Sequence, residues 1–343
     1  MSLNIAIHYY KNDFSDKWVE YCKKNNIKYQ LIDCYDNNII EIMRRFDILL
    51  WSWNLNDFSS SIIAKDIIFA LEKMGKIVFP NFKTSYLYDN KMGQKYLLES
   101  IGNNISIPSY IFYTKNSAKK WINQTEFPKV FKLSSGAGAL NVELCYNKHQ
   151  ANKLLNIAFG KGFSKINRTS WFKDKLKKFQ EQPSKYNFKI LIKSIGRLFI
   201  PTEHEKYMNN EKGYIYFQDF IPKNTFDLRI IIINNKAIGI KRLCRKDDFR
   251  ASGSEKIIYD KNQIDIKSIK IAFNVSKKLN FQCMAYDFVY GVDNQPLIVE
   301  MSYHFSATAY DKCQGYWDEN LNWYNEPINP QNMIIQSILN KIK

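Results

Sequence analysis

Residues 284–300 read MAYDFVYGVDNQPLIVE, an apolar stretch that carries Asp287 and Glu300 and is broken in its middle by Asp293 and Asn294. Aspartate and asparagine tolerate the positive φ angles of a tight turn, so the pattern predicts a β-hairpin with a two-residue turn there. In that register Asp287 lies directly opposite Glu300, and both side chains share one face. Like charges placed in this way destabilise a sheet, and an unpaired buried carboxylate is costly. We therefore expect a positive group between the two acids.

The acid pair has two interpretations. Two facing carboxylates with open coordination positions suit Mg²⁺, which binds through one or two carboxylates together with the phosphates of a substrate. The alternative is a half-exposed hairpin whose acids are solvated, or in which one acid pairs with a lysine. The hairpin alone does not decide between these interpretations.

Length and composition are typical of a folded protein. The chain has 343 residues, 45% of them hydrophobic and 15% aromatic, which is enough for a core in two or three lobes. No apolar run approaches the roughly 18 residues of a membrane span, and the N-terminus lacks the basic-then-apolar order of a signal peptide, so we expect a cytoplasmic protein. The cysteines are scattered without CxxC spacing and indicate neither a disulfide framework nor a zinc site. The net charge of +17 favours anionic partners such as nucleotide phosphates, acidic sugars or nucleic acid.

The first part of the chain alternates short apolar strands with helical patterns. Strands are predicted at 4–10, 28–34, 47–53 and 76–80, and helices at 16–24, 38–45 and 62–74. This alternation predicts an α/β fold with a parallel sheet covered by helices.

The rest of the chain is more mixed. The pattern predicts a helix at 86–100, strands at 109–113 and 129–133, mostly strands from 214, and helices at 266–279 and 331–341. The segment 160–213 is lysine-rich and weakly periodic, which is compatible with a mobile insertion, a substrate-facing segment or a solvated basic face.

A glycine-containing loop follows Lys132. This lysine ends an apolar strand directly before SSGAGA, which contains Ser135, Gly136 and Gly138. Glycines let backbone N–H groups approach phosphate oxygens, and a neighbouring lysine adds a point charge. The loop lacks the GxxxxGK[ST] pattern of a P-loop. It fits a phosphate cradle and an ordinary hairpin turn equally well.

A second hairpin is predicted at 226–243, FDLRIIIINNKAIGIKRL, with the two central asparagines as its turn. In this register Asp227 lies opposite Arg242, and Arg229 shares their face. The three side chains form either a surface ion pair of little energetic weight or a group that binds a ribose hydroxyl and phosphates. Arg250, in DDFRASG, adds a guanidinium suited to planar oxyanions.

The chain beyond the acidic hairpin is rich in tyrosine and tryptophan. His304 follows Glu300 closely enough to share its site, although a lone histidine is more often packed or exposed. The segment 302–330 is compatible with a sugar-stacking surface or with a packed C-terminal edge, and the packed edge is the commoner case.

The ordered set of these residues resembles the ATP-grasp superfamily. The resemblance rests on Lys91 in YDNKMGQKYLL, Lys132 before SSGAGA, FQDFI followed by FDLR, then KR and DFR, and finally Asp287 and Glu300 on a hairpin. The likeness is greatest to amino-acid and peptide ligases, such as the glutamate ligases that modify ribosomal proteins, and to glutathione synthetase. It implies an ATP-grasp fold with a Rossmann-like, parallel-sheet pre-ATP-grasp domain at 1–83. A small and central lobe with the basic insertion would span 84–212, and a C-terminal lobe with the metal-binding hairpin 213–343.

The resemblance also implies roles for individual residues. Lys91 and Lys132 would bind the phosphates and adenine of ATP, together with the loop residues Ser135, Gly136 and Gly138. The edge of the adenine would be bound by Gln218, Asp219, Phe220 and Ile221. Asp227 would bind the ribose. Arg229, Arg242 and Arg250 resemble the catalytic residues around the γ-phosphate and the acyl phosphate. Asp287, Glu300 and Ser302 stand at the positions of the Mg²⁺ ligands, where Mn²⁺ is a possible substitute. The family usually has asparagine where this chain has Ser302, a poorer ligand, so a second metal would be held more weakly or through water.

The implied reaction is ATP- and Mg²⁺-dependent ligation of a carboxylate to an amine through an acyl phosphate, without a protein nucleophile. The C-terminal segment is also similar to ATP-grasp proteins associated with bacterial surface-polysaccharide synthesis, which suggests an amide bond between an amino acid or amine and an acidic sugar. The expected partners are ATP, an anionic carboxylate substrate, an amine and, as one assembly, a second copy in a homodimer. We expect no membrane span.

Three other functions stay open at this stage. A binding module that keeps the fold without turnover is suggested by Ser302 in place of asparagine. A small-molecule kinase is possible because some members of the superfamily phosphorylate hydroxyls. A nucleic-acid binder is suggested only by the net charge of +17 and is the weakest of the three.

Overall fold

The computed structural model describes residues 3–53, 55, 57–102, 104–136, 141–165, 168–200, 205, 209–244 and 256–340. The chain divides into two compact units: a larger unit of Met1–Ser106 with Ile221–Lys343, and a smaller unit of Ile107–Phe220. Gly138 and Arg250 lie outside the described residues. The division into three lobes at residues 83 and 212 stays a prediction.

The larger unit begins with the predicted alternation of strands and helices. Its first elements are β1 (Ile5–His8), α1 (Phe14–Lys24), β2 (Tyr29–Ile32), α2 (Ile39–Met43), β3 (Ile48–Leu50), α3 (Phe58–Lys73), β4 (Ile77–Phe79), α4 (Phe82–Tyr86) and α5 (Lys91–Ile101). The four strands form a parallel sheet in the order β2-β1-β3-β4. Strands β1 and β3 are buried at every position, as apolar strands in a sheet covered on both faces are. The predicted fold class is confirmed.

Short polar side chains mark where helices begin. Asp13 caps α1 by accepting a hydrogen bond of 2.6 Å from the N–H of Phe14, and Asn90 caps α5 through the N–H of Gly93 at 2.9 Å. Such caps satisfy N–H groups that have no partner within the helix. The cap at Asn90 thereby fixes the start of the helix whose first residue is Lys91.

The smaller unit contains an antiparallel sheet and several helices. Its elements are β5 (Ser109–Phe112), α6 (Lys115–Gln124), β6 (Lys129–Lys132), β7 (Val142–Cys145), α7 (Lys148–Ala158), α8 (Arg168–Glu181), α9 (Lys185–Phe199) and β8 (Ile215–Asp219). The strand order is β5-β8-β6-β7, so β8 pairs on both of its edges. The sequence pattern did not predict α6 and α7, and it left the basic segment without elements, although α8 and α9 lie within it. Most residues of α8 are polar or charged, which explains the weak apolar periodicity of its sequence.

The chain then returns to the larger unit and forms a second sheet. The elements are β9 (Phe226–Ile233), β10 (Lys236–Leu243), β11 (Ile257–Ile258), α10 (Ile266–Leu279), β12 (Cys283–Tyr290), β13 (Pro296–Ser302), β14 (Tyr316–Asp318), β15 (Trp323–Tyr324) and α11 (Pro330–Asn340). Among the described residues this sheet has seven strands, in the order β13-β12-β9-β10-β14-β15 with β11 beside β10. Strand β12 is therefore hydrogen-bonded to both β13 and β9, which matters for the site described below.

The hairpin of β9 and β10 has the predicted register. Asp227 pairs with Arg242 along the ladder, and the turn lies at the predicted asparagines, of which Asn234 has a φ of 52°. Asparagine tolerates this left-handed conformation better than most residues, because its short polar side chain bonds locally.

The hairpin of β12 and β13 pairs Asp287 with Glu300 as predicted, but its turn was predicted wrongly. The connection is a loop at 291–295, in which Gly291 donates to the carbonyl of Gln295 at 3.0 Å. A bulge follows between Phe288 and Asp287, because Phe288 pairs with Ile298 and not with Val299, whereas Asp287 pairs with Glu300. The longer loop shifts the register by one residue and the bulge shifts it back, so the two acids still face each other.

One hydrophobic core joins the two sheets of the larger unit. The indole of Trp18 on α1 donates to the carbonyl of Gln331 on α11 at 3.1 Å, and the hydroxyl of Tyr303 donates to the carbonyl of Trp53 at 2.6 Å. The first and last parts of the chain therefore fold together, whereas the smaller unit has a core of its own.

Two global features concern membranes and thiols. No helix within the described part of the chain is both long and apolar enough to cross a bilayer. Five of the cysteines are buried free thiols, namely Cys22, Cys34, Cys145, Cys283 and Cys313.

Candidate functional site

The two acids of the β12 and β13 hairpin lie in different environments. The side chain of Asp287 is 9% exposed and that of Glu300 is 37% exposed. The sequence pattern predicted their pairing, but it contained no information on this difference. The difference arises because β12 lies between two strands, whereas β13 is the edge strand of the sheet.

Asp287 belongs to a group of four charged side chains, which we call the arginine–aspartate cluster: Asp227, Arg242 and Asp287, which are buried, and Arg229, which is 21% exposed. Nε and Nη2 of Arg229 donate to the two carboxylate oxygens of Asp287 at 2.6 and 2.7 Å. Arg242 binds both oxygens of Asp227 in the same way, at 2.7 and 2.5 Å, and its Nη2 also lies 2.8 Å from Oδ2 of Asp287. The predicted site residues Arg229, Arg242 and Asp287 are thus in one connected group with Asp227, which was predicted to bind the ribose.

Electrostatics keep Asp287 ionised. Burial by itself raises the pKa of this carboxyl, but the charges of Arg229 and Arg242 and the hydrogen bonds that they donate hold it below its ordinary value. Burial raises the pKa of Asp227, and the charge of Arg242 opposes that rise. The positive groups expected beside the acid pair are therefore present as protein side chains.

Glu300 has a partner of its own. Its Oε1 lies 3.4 Å from Nζ of Lys91, which is buried at the start of α5. This is one of the alternatives left open by the sequence, an acid paired with a lysine. Two residues predicted to act at the phosphates and at the metal are thereby brought together.

Ser302 ends the same strand, and its hydroxyl is engaged locally. Oγ donates to the carbonyl of His304 at 2.7 Å and accepts from the N–H of His304 at 3.2 Å. A hydroxyl held in such a turn has less freedom to bind a metal than the amide oxygen that the family usually has at this position.

The acids can be tested for their fit to Mg²⁺. Within the described residues no group of three or more histidine, cysteine, aspartate or glutamate side chains could hold a metal ion. Asp287 and Glu300 are nevertheless cross-strand neighbours with oxygen ligands. Such a pair fits a Mg²⁺ ion that takes its remaining ligands from phosphates and water, and it does not fit a metal site built by protein alone.

The smaller unit contains a second set of the predicted residues. Nζ of Lys132 donates to Oε1 of Gln218 at 2.6 Å, and Nζ of the neighbouring Lys129 lies 2.6 Å from Oδ1 of Asp219. Both contacts join β6 to β8, and Lys132 is buried. Lys129 is a residue that the sequence interpretation missed.

The glycine loop begins with backbone N–H groups that bind an anion. The N–H groups of Ser134 and Ser135 donate to the carboxylate of Glu211 at 3.0 and 3.1 Å, and the hydroxyls of Ser135 and Tyr214 also contact that carboxylate. Gly136 has a φ of 107°, which only glycine adopts readily. The loop start therefore has the donors of an anion site, occupied by the protein's own carboxylate. Glu211 was missed because it lies in the basic segment, where no pattern marks it.

The predicted adenine-edge residues fall at the boundary between the units. Phe220 is the last residue of the smaller unit and Ile221 the first residue of the returning larger unit. Gln218 and Asp219 belong to β8, and the N–H of Asp219 donates to the carbonyl of Pro108 at 2.9 Å. Whether this segment contacts adenine stays a prediction.

His304 contacts the N-terminal part of the larger unit. Its Nε2 lies 2.9 Å from Oδ1 of Asp13, which also accepts from the hydroxyl of Ser52 at 3.1 Å. The ring of Phe14 stacks on the imidazole with 5.0 Å between centroids. Asp13 and Ser52 follow β1 and β3, so this contact lies at the carboxyl ends of the parallel strands. The sequence suggested His304 but provided no sign of Asp13 as its partner.

The aromatic segment after the hairpin is largely packed. The side chains of five aromatic residues are buried, namely Tyr303, Phe305, Tyr310, Tyr316 and Trp317. The interpretation as a packed C-terminal edge therefore describes most of this segment.

Comparisons with known proteins support the resemblance. A model of the RimK-like ATP-grasp domain matches residues 164–316. The uncharacterized protein MG012 homolog of Mycoplasma pneumoniae is 23% identical over 151 residues, which are 41% of this chain and 52% of that protein. The chain thus matches about half the length of this relative.

Solved structures are similar over nearly the whole chain. The RimK domain ATP-grasp protein of Sphaerobacter thermophilus has a TM-score of 0.56 at 11% identity, with 98% of this chain and 99% of that chain covered. The D-alanine–D-alanine ligase of Bacillus anthracis complexed with ATP has a TM-score of 0.55 at 14% identity, with 99% and 98% covered. At these identities the likeness shows the fold. Together with the match of residues 164–316 to the RimK-like ATP-grasp domain and with the residue pattern, it supports the predicted ATP-grasp superfamily.

Proposed function

We propose that the protein is an ATP- and Mg²⁺-dependent ligase that joins a carboxylate to an amine through an acyl phosphate. The single observation that carries the proposal is the contact of Asp287 with Arg229 and Arg242, beside the cross-strand neighbour Glu300. The guanidiniums can bind a phosphoryl group, and the two neighbouring acids can bind the metal ion that accompanies it. The ATP-grasp fold and the match to a RimK-like domain support the same reaction class.

In this proposal the protein's own residues position substrates and neutralise charge. Arg229 and Arg242, with the predicted Arg250, stabilise the negative charge of the transferred phosphoryl group. Asp287 and Glu300 would hold Mg²⁺, which would supply positive charge at the phosphates when bound. Lys91 and Lys132 bind the phosphates and adenine of the nucleotide, and the loop with Ser135, Gly136 and Gly138 binds the phosphates. Residues 218–221 bind adenine, and Asp227 binds the ribose.

The chemistry needs no protein nucleophile. An oxygen of the substrate carboxylate attacks the γ-phosphorus, and the bond from that phosphorus to the bridging oxygen breaks, so that ADP leaves with the electron pair. The amine then attacks the carbonyl carbon of the acyl phosphate, loses a proton and displaces inorganic phosphate. The products are an amide, ADP and phosphate.

The finer substrate assignment is part of the proposal. The net charge of +17 favours an anionic substrate, and the sequence of the C-terminal segment suggests a role in surface-polysaccharide synthesis. We therefore infer an acidic sugar as the carboxylate and an amino acid or amine as its partner. The enzyme would act in the cytoplasm, where ATP is available.

The first experiment is calorimetric titration of MgADP and of a non-hydrolysable ATP analogue, repeated with EDTA in place of Mg²⁺. Wild type is expected to bind both nucleotides, and to bind them more tightly with Mg²⁺. Glu300→Gln should lower the Mg²⁺-dependent affinity by about tenfold or more, which corresponds to about 1.4 kcal/mol. The matched control is Glu319→Gln, an exposed acid in the loop after β14, which should bind as wild type does.

Glu300 is a better probe than Asp287, because loss of Asp287 also disrupts the arginine–aspartate cluster. Absence of nucleotide binding under every condition would refute the proposal. If binding occurs, uronic acids and amines are screened in pairs for ADP release.

A second candidate function is a nucleotide-binding module without turnover. The observation that favours it is Ser302, whose hydroxyl bonds to the backbone of His304. Nucleotide affinity that is indifferent to Mg²⁺, with no ADP release for any pair of substrates, would establish this function instead of ligation.

A further inference from the structure

The arginine–aspartate cluster has more hydrogen-bond donors than acceptors. A guanidinium carries five N–H groups, and each carboxylate here already accepts two or more of them. Nη1 of Arg229 and Nη1 of Arg242 have no hydrogen-bond partner within the described part of the chain. Guanidinium donors that have no partner in the described part of the chain are suited to bind an additional anion.

Tyr310 adds a donor that is unpaired as well. Its side chain is 1% exposed, and its hydroxyl has no hydrogen-bond partner among the residues that the structure describes. Its phenol lies within electrostatic reach of Arg229, Arg242 and Asp287. Burial raises the pKa of this phenol further above its ordinary value, so at neutral pH the hydroxyl carries its proton and can donate.

The segment around Tyr310 is fixed by its own contacts. The hydroxyl of Tyr259 donates to the carbonyl of Ala309 at 2.9 Å, and the N–H of Cys313 donates to the carbonyl of Tyr310 at 3.0 Å. The ring of Phe305 packs edge-on against Tyr310 with 5.3 Å between centroids. A buried hydroxyl without a partner lowers stability. Phenylalanine would fill the same space without that cost, so the presence of tyrosine points to a ligand.

We propose that the hydroxyl of Tyr310 donates a hydrogen bond to the terminal phosphoryl group of the nucleotide, which it holds together with Arg229. The inference rests on the proposed function and assigns a substrate-contacting role to a residue outside the predicted set. During transfer the phosphoryl group leaves the bridging oxygen of ADP and bonds to the carboxylate oxygen. Tyr310 keeps its proton and donates to a non-bridging oxygen before and after the step.

The test compares two nucleotides that differ in the terminal phosphate. Calorimetry measures the affinity of Tyr310→Phe for MgAMPPNP and for MgADP, and a thermal melt measures its stability without nucleotide. We expect the affinity for MgAMPPNP to fall about tenfold, the range for a lost hydrogen bond to a charged group, and that for MgADP to change less than about twofold. The melting midpoint should be unchanged or raised, because the substitution removes an unpaired buried hydroxyl. Tyr324→Phe, at a 44% exposed tyrosine, is the matched control and should leave both affinities unchanged.

Several outcomes would overturn the inference. If Tyr310→Phe binds both nucleotides as wild type does, the hydroxyl does not contact the terminal phosphate. Equal losses for both nucleotides, or a lowered melting midpoint, would indicate a structural role. Wild type that binds neither nucleotide would overturn the proposed function and this inference together, whereas wild-type binding with an unaffected variant overturns the inference alone.

Discussion

At the scale of single residues, Asp287 joins the two arginines of the arginine–aspartate cluster. It accepts hydrogen bonds from the guanidiniums of Arg229 and Arg242, whereas Glu300 on the neighbouring strand is bound to Lys91. A buried ion pair is stable only while both partners are present, since removal of one leaves an uncompensated buried charge. The ion pair of Glu300 with Lys91 contributes less, because the glutamate is 37% exposed and water screens its charge. The two acids of one hairpin should therefore differ greatly in their effect on stability.

We predict that Asp287→Asn lowers the free energy of unfolding by about 3–5 kcal/mol, because Arg229 and Arg242 lose their shared counter-charge. Glu300→Gln should lower it by less than about 1 kcal/mol, since that side chain is partly exposed. Urea denaturation followed by circular dichroism measures both values. Equal values for the two variants would contradict the prediction.

The difference in stability between wild type and Asp287→Asn should depend on pH. The pKa of Asp287 is held below its ordinary value in the folded state, so its stabilising effect is complete above the unfolded pKa of about 4. As the pH falls below that value, the unfolded chain takes up a proton that the folded chain does not, and the effect is progressively lost. The difference in stability between wild type and Asp287→Asn should thus narrow below about pH 4. A difference that is constant down to pH 2.5 would refute this.

At the scale of secondary-structure elements, the start of α1 combines structure with the candidate site. Asp13 caps the helix and also binds Ser52 and His304, so one carboxylate joins α1, the end of β3 and the segment after β13. These three segments are distant in sequence. The carboxylate therefore contributes to tertiary structure as well as to the helix.

We predict that Asp13→Ala lowers the free energy of unfolding by about 0.5–2 kcal/mol through loss of the cap alone, and by more if the bonds to Ser52 and His304 contribute. The matched variant Asp13→Asn keeps an oxygen acceptor and a good capping side chain, and it should lose much less. Chemical denaturation of the three proteins under one condition provides the comparison. An asparagine variant as unstable as the alanine variant would show that the charge, rather than the cap, is decisive.

At the scale of the whole molecule, the two ends of the chain form one core. Helix α11 packs against α1, and its residues Ile334, Ile335 and Ile338 are almost completely buried. The smaller unit is inserted in the sequence between Met1–Ser106 and Ile221–Lys343, which together form a single unit. The C-terminal helix is therefore part of the main core.

We predict that Ile335→Ala lowers the free energy of unfolding by about 2–5 kcal/mol, since it leaves a cavity in that core. Gln336→Ala, at the adjacent exposed position, should stay within about 0.5 kcal/mol of wild type. Guanidinium denaturation followed by tryptophan fluorescence, to which the buried Trp18 contributes, measures both. Similar stability of the two variants would mean that the helix is not part of the cooperative core.

The sequence by itself determined the parallel-sheet alternation, the register of the β9 and β10 hairpin, the superfamily and most of the candidate residues. Apolar periodicity and turn residues are local properties, and a hairpin register follows from its turn. The pairing of Asp227 with Arg242 follows directly from the asparagine turn. The pairing of Asp287 with Glu300 was predicted through a turn of the wrong length, and a bulge that no local pattern marks restored it.

Only the tertiary structure decided which charges meet. Strand β12 lies beside β9, so Asp287 contacts Arg229 and Arg242, and α5 places Lys91 against Glu300. The order of strands in a sheet depends on how all elements bury their apolar faces together, which no short segment contains. The same holds for Asp13 with His304, for Glu211 at the glycine loop and for the unpaired hydroxyl of Tyr310. Their surroundings come from segments that are distant in the sequence or carry no local pattern, and they exist only after the core has formed.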